Sequence, residues 1–167
     1  VIFNTNQPLT VTDYALGQLT VKKITKLMGT EYLVDGVKFN VYEAVKDDNG
    51  YYIGENNTKY SKASNDPVAS GNTENGIYTS VLLEPGVYIV EEDKESIENV
   101  GIVGWPKDET KTYHVITVAA GANKNDGSDH TFENPAAYGK FVLKKVDQDG
   151  KAIAALSLIH ISEPTRP

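Results

Sequence analysis

The sequence predicts an all-β fold, a sandwich of short antiparallel strands. Three observations lead there. Apolar and polar residues alternate with period two in several runs. Turn-forming pairs separate those runs at short intervals. No stretch repeats its apolar residues at helical spacing.

In chain order, Leu19, Val21 and Lys23 alternate with Gln18, Thr20 and Lys22, and Val37, Phe39 and Val41 alternate with Lys38, Asn40 and Tyr42. Thr79 to Leu83, Val87 to Glu92 and Tyr113 to Val118 are further β-rich runs. Between them stand Asp35-Gly36, Asp47-Asp48-Asn49-Gly50, Asn75-Gly76, Glu84-Pro85-Gly86, Asp126-Gly127 and Asp149-Gly150. Gly54 to Asn75 is polar and reads as a long surface connection with at most one short turn of helix.

Composition narrows the function classes. The 167 residues are 40% hydrophobic and 23% charged, ordinary for a globular fold. The net charge of −7 and pI of about 4.9 fit a nucleic-acid binder poorly. The absence of cysteine excludes disulfides, thiolate metal sites and cysteine nucleophiles. No apolar run reaches the length of a membrane span, and Val1 to Leu19 does not read as a signal peptide. The chain does not begin with Met and reads as a piece of a longer protein.

The segment Leu156 to Pro167, LSLIHISEPTRP, departs from the style of the rest and resembles a translated sequencing adapter, so it is set aside. Glu163 and Arg166 cancel, and His160 leaves with it. The remaining histidines, His114 and His130, read as surface residues in strand-like or turn-like contexts.

A repeat sets the domain plan. Gly17-Gln-Leu-Thr-Val-Lys-Lys23 and Gly139-Lys-Phe-Val-Leu-Lys-Lys145 share one form, 122 positions apart. Each follows an apolar segment carrying Asn, at Asn4 and at Asn134. The expected division is the tail of a preceding module and linker (1–16), a complete module (17–138), the first strand of a following module (139–155) and the non-native segment (156–167). Tandem modules of this size make a beaded stalk. Lys145 would belong to the next module and Asn4 to the previous one.

Period-two logic singles out three polar residues. Lys23 continues the inward face of Leu19 and Val21, Glu92 that of Tyr88 and Val90, and Asn134 that of Phe132. Lys22 competes with Lys23, but its parity puts it outside; Glu91 is the second choice to Glu92. Asn134 precedes Pro135 and has a turn-former as its plain reading. A Lys, a Glu and an Asn in one apolar core are costly unless paired or reactive. Burial favours a neutral amine and a protonated carboxyl. The amine is then a nucleophile, and the Asn134 carboxamide an electrophile that Glu92 polarises. The expected product is a Lys23–Asn134 isopeptide bond with loss of ammonia, once per molecule and without turnover.

Together these segments resemble the B-type repeat (Cna B-type) domains of collagen-adhesin-like surface proteins and pilins of Gram-positive bacteria. The opening Gly-x-apolar-x-apolar-x-Lys is matched by Gly17 to Lys23. The Leu-x-Pro-Gly-x-Tyr-x-apolar-x-Glu strand is matched by Leu83-Glu-Pro-Gly-Val-Tyr-Ile-Val-Glu-Glu92, with Glu84 between the Leu and its turn. The closing apolar-x-Asn is matched by Phe132-Glu133-Asn134. The family's Ala-Pro-x-Gly-Tyr element is replaced by Asp93 to Val103 and Gly104-Trp105.

The resemblance covers 17 to 155. It implies a prealbumin-like, immunoglobulin-like sandwich and an extracellular, cell-wall-anchored protein. Its role would be a stalk or spacer of an adhesin or pilus, with no cofactor and no metal. The expected partners are adjacent modules of the same chain and a host matrix protein or glycan, without nucleic acid or membrane insertion. Two alternatives stand beside it. One is a ligand-binding adhesin domain using the Gly54 to Asn75 and Asp93 to Val103 loops. The other is a non-catalytic accessory domain of a secreted enzyme.

A bond between residues 23 and 134 would restrict the unfolded chain by about 4 to 5 kcal/mol and would carry tension between the terminal strands. Lesser signals read plainly. Asp147-Gln148-Asp149-Gly150 and Asp126 to Asp129 read as turns ahead of calcium loops. Pro106-Lys107 only loosely matches a sortase-reactive lysine context. Asn56-Asn57-Thr58 is a sequon that matters only in a eukaryotic secretory setting.

Overall fold

The computed structural model describes residues 15–137 together with Asp13, Asp149 and Lys151. The repeat at Gly139 to Lys145, Asn4, Lys145, His160 and the segment 156–167 lie outside the described residues. One compact unit ends at Ala136 and a second runs from Ala137.

Ten strands and one short helix make up the described part. The strands are β1 (Thr20–Leu27), β2 (Thr30–Leu33), β3 (Lys38–Lys46), β4 (Tyr52–Ile53), β5 (Lys59–Lys62), β6 (Ala69–Asn72), β7 (Ile77–Thr79), β8 (Gly86–Glu92), β9 (Tyr113–Val118) and β10 (Thr131–Pro135). The helix, α1, is Lys94–Val100. A four-stranded sheet runs β10-β1-β2, with β7 also on β1; a six-stranded sheet runs β4-β5-β3-β8-β9, with β6 also on β3. Each central strand divides one edge between two partners. β1 meets β7 along Thr20 to Lys22 and β2 along Ile24 to Leu27. β3 meets β6 along Lys38 to Val41 and β5 along Ala44 to Lys46.

The fold is an all-β sandwich, as the alternation predicts. Its core joins the inner faces of both sheets: Leu19, Val21, Tyr78 and Phe132 from one, Phe39, Val41, Tyr88, Val90, Ile116 and Val118 from the other. One pairing departs from antiparallel. β1 and β10, first and last of the described strands, run parallel, with Lys23 opposite Phe132 and Thr25 opposite Asn134.

Three sequence readings need correction. Gly54 to Asn75 is no bare surface connection: after one 3₁₀ turn at Glu55–Asn57 it forms β5 and β6, both paired with β3. These strands were hard to see because they are short and polar, with Tyr60 the one buried residue of β5. The run expected over Thr79 to Leu83 ends as a strand at Thr79, and Leu83 makes a single bridge to Gly17. The Asp93 to Val103 loop contains α1. The Asp93 side chain caps it by accepting from Ser96 N, and Gly101, at φ 71°, ends it.

The turn signals place the rest. Asn75 and Gly76 have φ of 52° and 71°, the left-handed pair of a tight hairpin. Gly127 has φ of 70°, and a Cβ there would lie 2.6 Å from the carbonyl carbon of Val21, so only glycine lets this turn close over β1.

Candidate functional site

The site lies in the core between the two sheets. β1 supplies Lys23, β8 supplies Glu92 and β10 supplies Asn134, on the inward parity of each strand. Lys23 and Asn134 are 0% exposed and Glu92 is 6% exposed. Lys23 Nζ stands 2.6 Å from Glu92 Oε1. It also donates to Phe132 O at 3.4 Å. Phe39, opposite Glu92 in the β3–β8 register, walls the site with its ring 4.7 Å from that of Phe132.

The parallel register brings the amide to the amine. Asn134 lies opposite Thr25, two residues beyond Lys23 on the same face. Lys23 Nζ and the Asn134 amide both lie against Glu92. Neither Oδ1 nor Nδ2 of Asn134 makes a hydrogen bond. The amide is still close enough to Glu92 to favour its carboxylate form. The Glu92 oxygens likewise lack hydrogen-bond geometry, so the Lys23 contact is close but bent. Three buried polar side chains are thus left with an ion pair and little else.

Burial shifts both partners toward their neutral forms, against their mutual attraction. Burial pushes the Lys23 ammonium down from its ordinary value, and the nearby Glu92 only partly restores it. Burial pushes the Glu92 carboxyl up, against the smaller pulls of Lys23 and Asn134. Both shifts favour moving the proton from the amine to the carboxylate. The arrangement can present an uncharged nucleophile and a carboxylic acid to one amide in a site closed to water.

The competing residues lie elsewhere. Lys22 points outward and pairs with Glu31 at 2.7 Å. Glu91 faces the opposite side of the six-stranded sheet, where it meets Lys62 and Tyr52. Asn134 sits in β10 and not in a turn. The histidines are not simple surface residues. His114 is half-buried, its ring 4.5 Å from Phe132 and 5.9 Å from His130, and its Nε2 lies 3.2 Å from Thr131 O.

No family model matches the chain, and no curated protein is found to be similar to it. One solved structure is similar: GBS52, the minor pilin of the Gram-positive pathogen Streptococcus agalactiae. The two share 14% identity at a TM-score of 0.37, and the match covers 79% of this chain. The chain spans about half of that pilin, 49% of its length.

Sequence reasoning missed one residue of the neighbourhood. Thr25 is 6% exposed and donates from Oγ1 to the main-chain oxygen of Asn134 at 2.9 Å. Its signal was present: it is the next residue after Lys23 on the inward face of β1. Among the described residues no three His, Asp or Glu side chains gather to hold a metal, and no helix is long and apolar enough to cross a membrane.

Proposed function

We propose that this chain is a structural spacer module of a Gram-positive cell-surface adhesin or pilus protein, braced by an isopeptide bond that it forms on itself. The observation that carries the reading is the burial of Lys23, Glu92 and Asn134 in one apolar core, with the amine 2.6 Å from the carboxylate. A core that only needed to be stable would do better with apolar side chains at these positions.

In the proposed reaction the Lys23 ammonium gives a proton to Glu92. The neutral Nζ then attacks Cγ of Asn134, and the protonated Glu92 donates toward the amide oxygen. As the tetrahedral adduct collapses, the Nζ–Cγ bond is kept and the Cγ–Nδ2 bond breaks. One hydrogen from Nζ passes to the departing nitrogen by way of Glu92, and ammonia leaves. Glu92 ends protonated beside a neutral amide, which removes the buried charges. The bond forms once, so the module is its own substrate and is not an enzyme that turns over. The module runs from 17 to 138 in this reading, and its partners are neighbouring modules of the same protein and a host matrix protein or glycan.

Intact mass of the folded protein tests it. A deficit of one ammonia is expected, and its disappearance in Lys23→Ala and in Asn134→Ala. The full unreacted mass in a well-folded sample overturns the proposal.

A further inference from the structure

Asn134 is followed by Pro135, which has no N–H to give to a ladder. The end of β10 therefore loses a backbone donor immediately after the amide-bearing residue. Beyond it the strand is held from the other side. Gly104 N donates to Pro135 O at 2.8 Å, and Val103 bridges to Ala136. The Asn134 carbonyl itself is held by the hydroxyl of Thr25 at 2.9 Å. Thr25 is buried, is the register partner of Asn134 and shares its face of β1 with Lys23. As a β-branched residue it holds few rotamers and makes a stiff peg.

We propose that Thr25 is a positioning residue for the crosslink: its hydroxyl fixes the Asn134 main chain so that the carboxamide stays within reach of Lys23 Nζ. The proposal rests on the reading that Lys23 and Asn134 react. The hydroxyl exchanges no atom with either partner. It acts through geometry, where displacement of reacting atoms by about 1 Å costs about 100-fold in rate. A hydrogen bond that only stabilised the fold would leave the rate of the folded state unchanged.

The experiment starts from the full chain made by total chemical synthesis and held unreacted in denaturant. Dilution starts folding, which is followed by Trp105 fluorescence. Samples quenched in acid are weighed by intact-mass spectrometry. Thr25→Val is expected to fold with the wild-type fluorescence change and then lose ammonia about 10- to 100-fold more slowly. Thr25→Ser, which restores the hydroxyl, is expected to recover most of that rate. Thr25→Ala, which removes bulk where Val exchanges it, carries the same expectation as Val, so the test does not hang on one variant folding.

Wild-type reaction rates in folded Thr25→Val or Thr25→Ala overturn the positioning role while leaving the crosslink standing. A Thr25→Ser as slow as Thr25→Val overturns it too. A folded wild type that never loses ammonia overturns both.

Discussion

Glu91 and Glu92, neighbours on β8, each hold a lysine, on opposite faces of the same sheet. Glu92 faces the core and meets Lys23, and both side chains are fully buried. Glu91 faces outward and meets Lys62 at 2.5 Å, with side chains 20–23% exposed. Lys62 Nζ also lies over the Tyr42 ring, 3.7 Å from its centroid. The two pairs share a strand and a chemistry and differ in solvent and in what stands beside them. Beside the inner pair stands the Asn134 amide; opposite Glu91, on the outer face, stands Asn40.

That contrast separates the two glutamates. Glu91→Gln is expected to leave the loss of ammonia intact and to cost at most about 1 kcal/mol, the range for partly solvated ion pairs. Glu92→Gln is expected to suppress the reaction. Intact mass and urea denaturation of both variants check this.

An uncrosslinked core exposes the cost of the buried charge. Lys23→Met removes the amine and leaves Glu92 without its cation, a loss of about 3 to 5 kcal/mol. Adding Glu92→Leu is expected to restore part of it. The pH dependence has a definite sign. Burial raises the Glu92 carboxyl in the fold above its ordinary 4.5, so the folded state binds the proton more tightly than the unfolded one. Stability of Lys23→Met is therefore highest below about pH 4.5 and falls as the pH rises toward the raised value. Urea midpoints across that range, absent this slope in Lys23→Met/Glu92→Leu, are the measurement.

The half-buried histidine pair gives the opposite slope. Burial pushes both His114 and His130 below their ordinary 6.5, with Asp129 and Glu55 partly opposing this at His130. The unfolded chain then takes up protons before the folded one. Stability is expected to hold above about pH 6.5 and to fall as the pH drops below it. His114→Phe is expected to flatten the slope, as read by thermal melts between about pH 7.5 and about pH 5.

Gly127 tests the turn over β1. Gly127→Ala places a side chain at φ 70° and a Cβ 2.6 Å from Val21. A loss above about 1 kcal/mol is expected from the backbone conformation alone, with more from the overlap. A lowered melting temperature checks it.

The sequence showed the inner faces better than the outer ones. Lys23, Glu92 and Asn134 were legible because each ends an apolar alternation, and period two leaves no choice of side. β9 ran from Tyr113 to Val118 as read, since its neighbours are turns. β4, β5 and β6 were not legible. They are short, they lie at or beside an edge, and β4 and β5 answer to an outer cluster of Tyr42, Tyr60 and Ile89 and not to the main core. α1 was hidden because its roughly two turns bury only Ile97, too little to set a helical period. Thr25 was visible as an inward residue, but its hydrogen bond depends on the parallel β1–β10 register, which no local pattern encodes.

That parallel pairing fixes where the polypeptide enters and leaves. The chain enters at the start of β1 and exits at the end of β10, so the two ends of the module point in opposite directions along one axis. Pulling on them slides β1 lengthwise against β10 and does not peel the pair apart rung by rung. With Lys23 joined to Asn134, the 111 positions between them hang outside the stretched line. A module without that joint would release about 380 Å of slack on unfolding, at about 3.4 Å per residue; a jointed one releases almost none. In the proposed spacer, a string of such units would keep its contour length under load whether or not every unit stays folded.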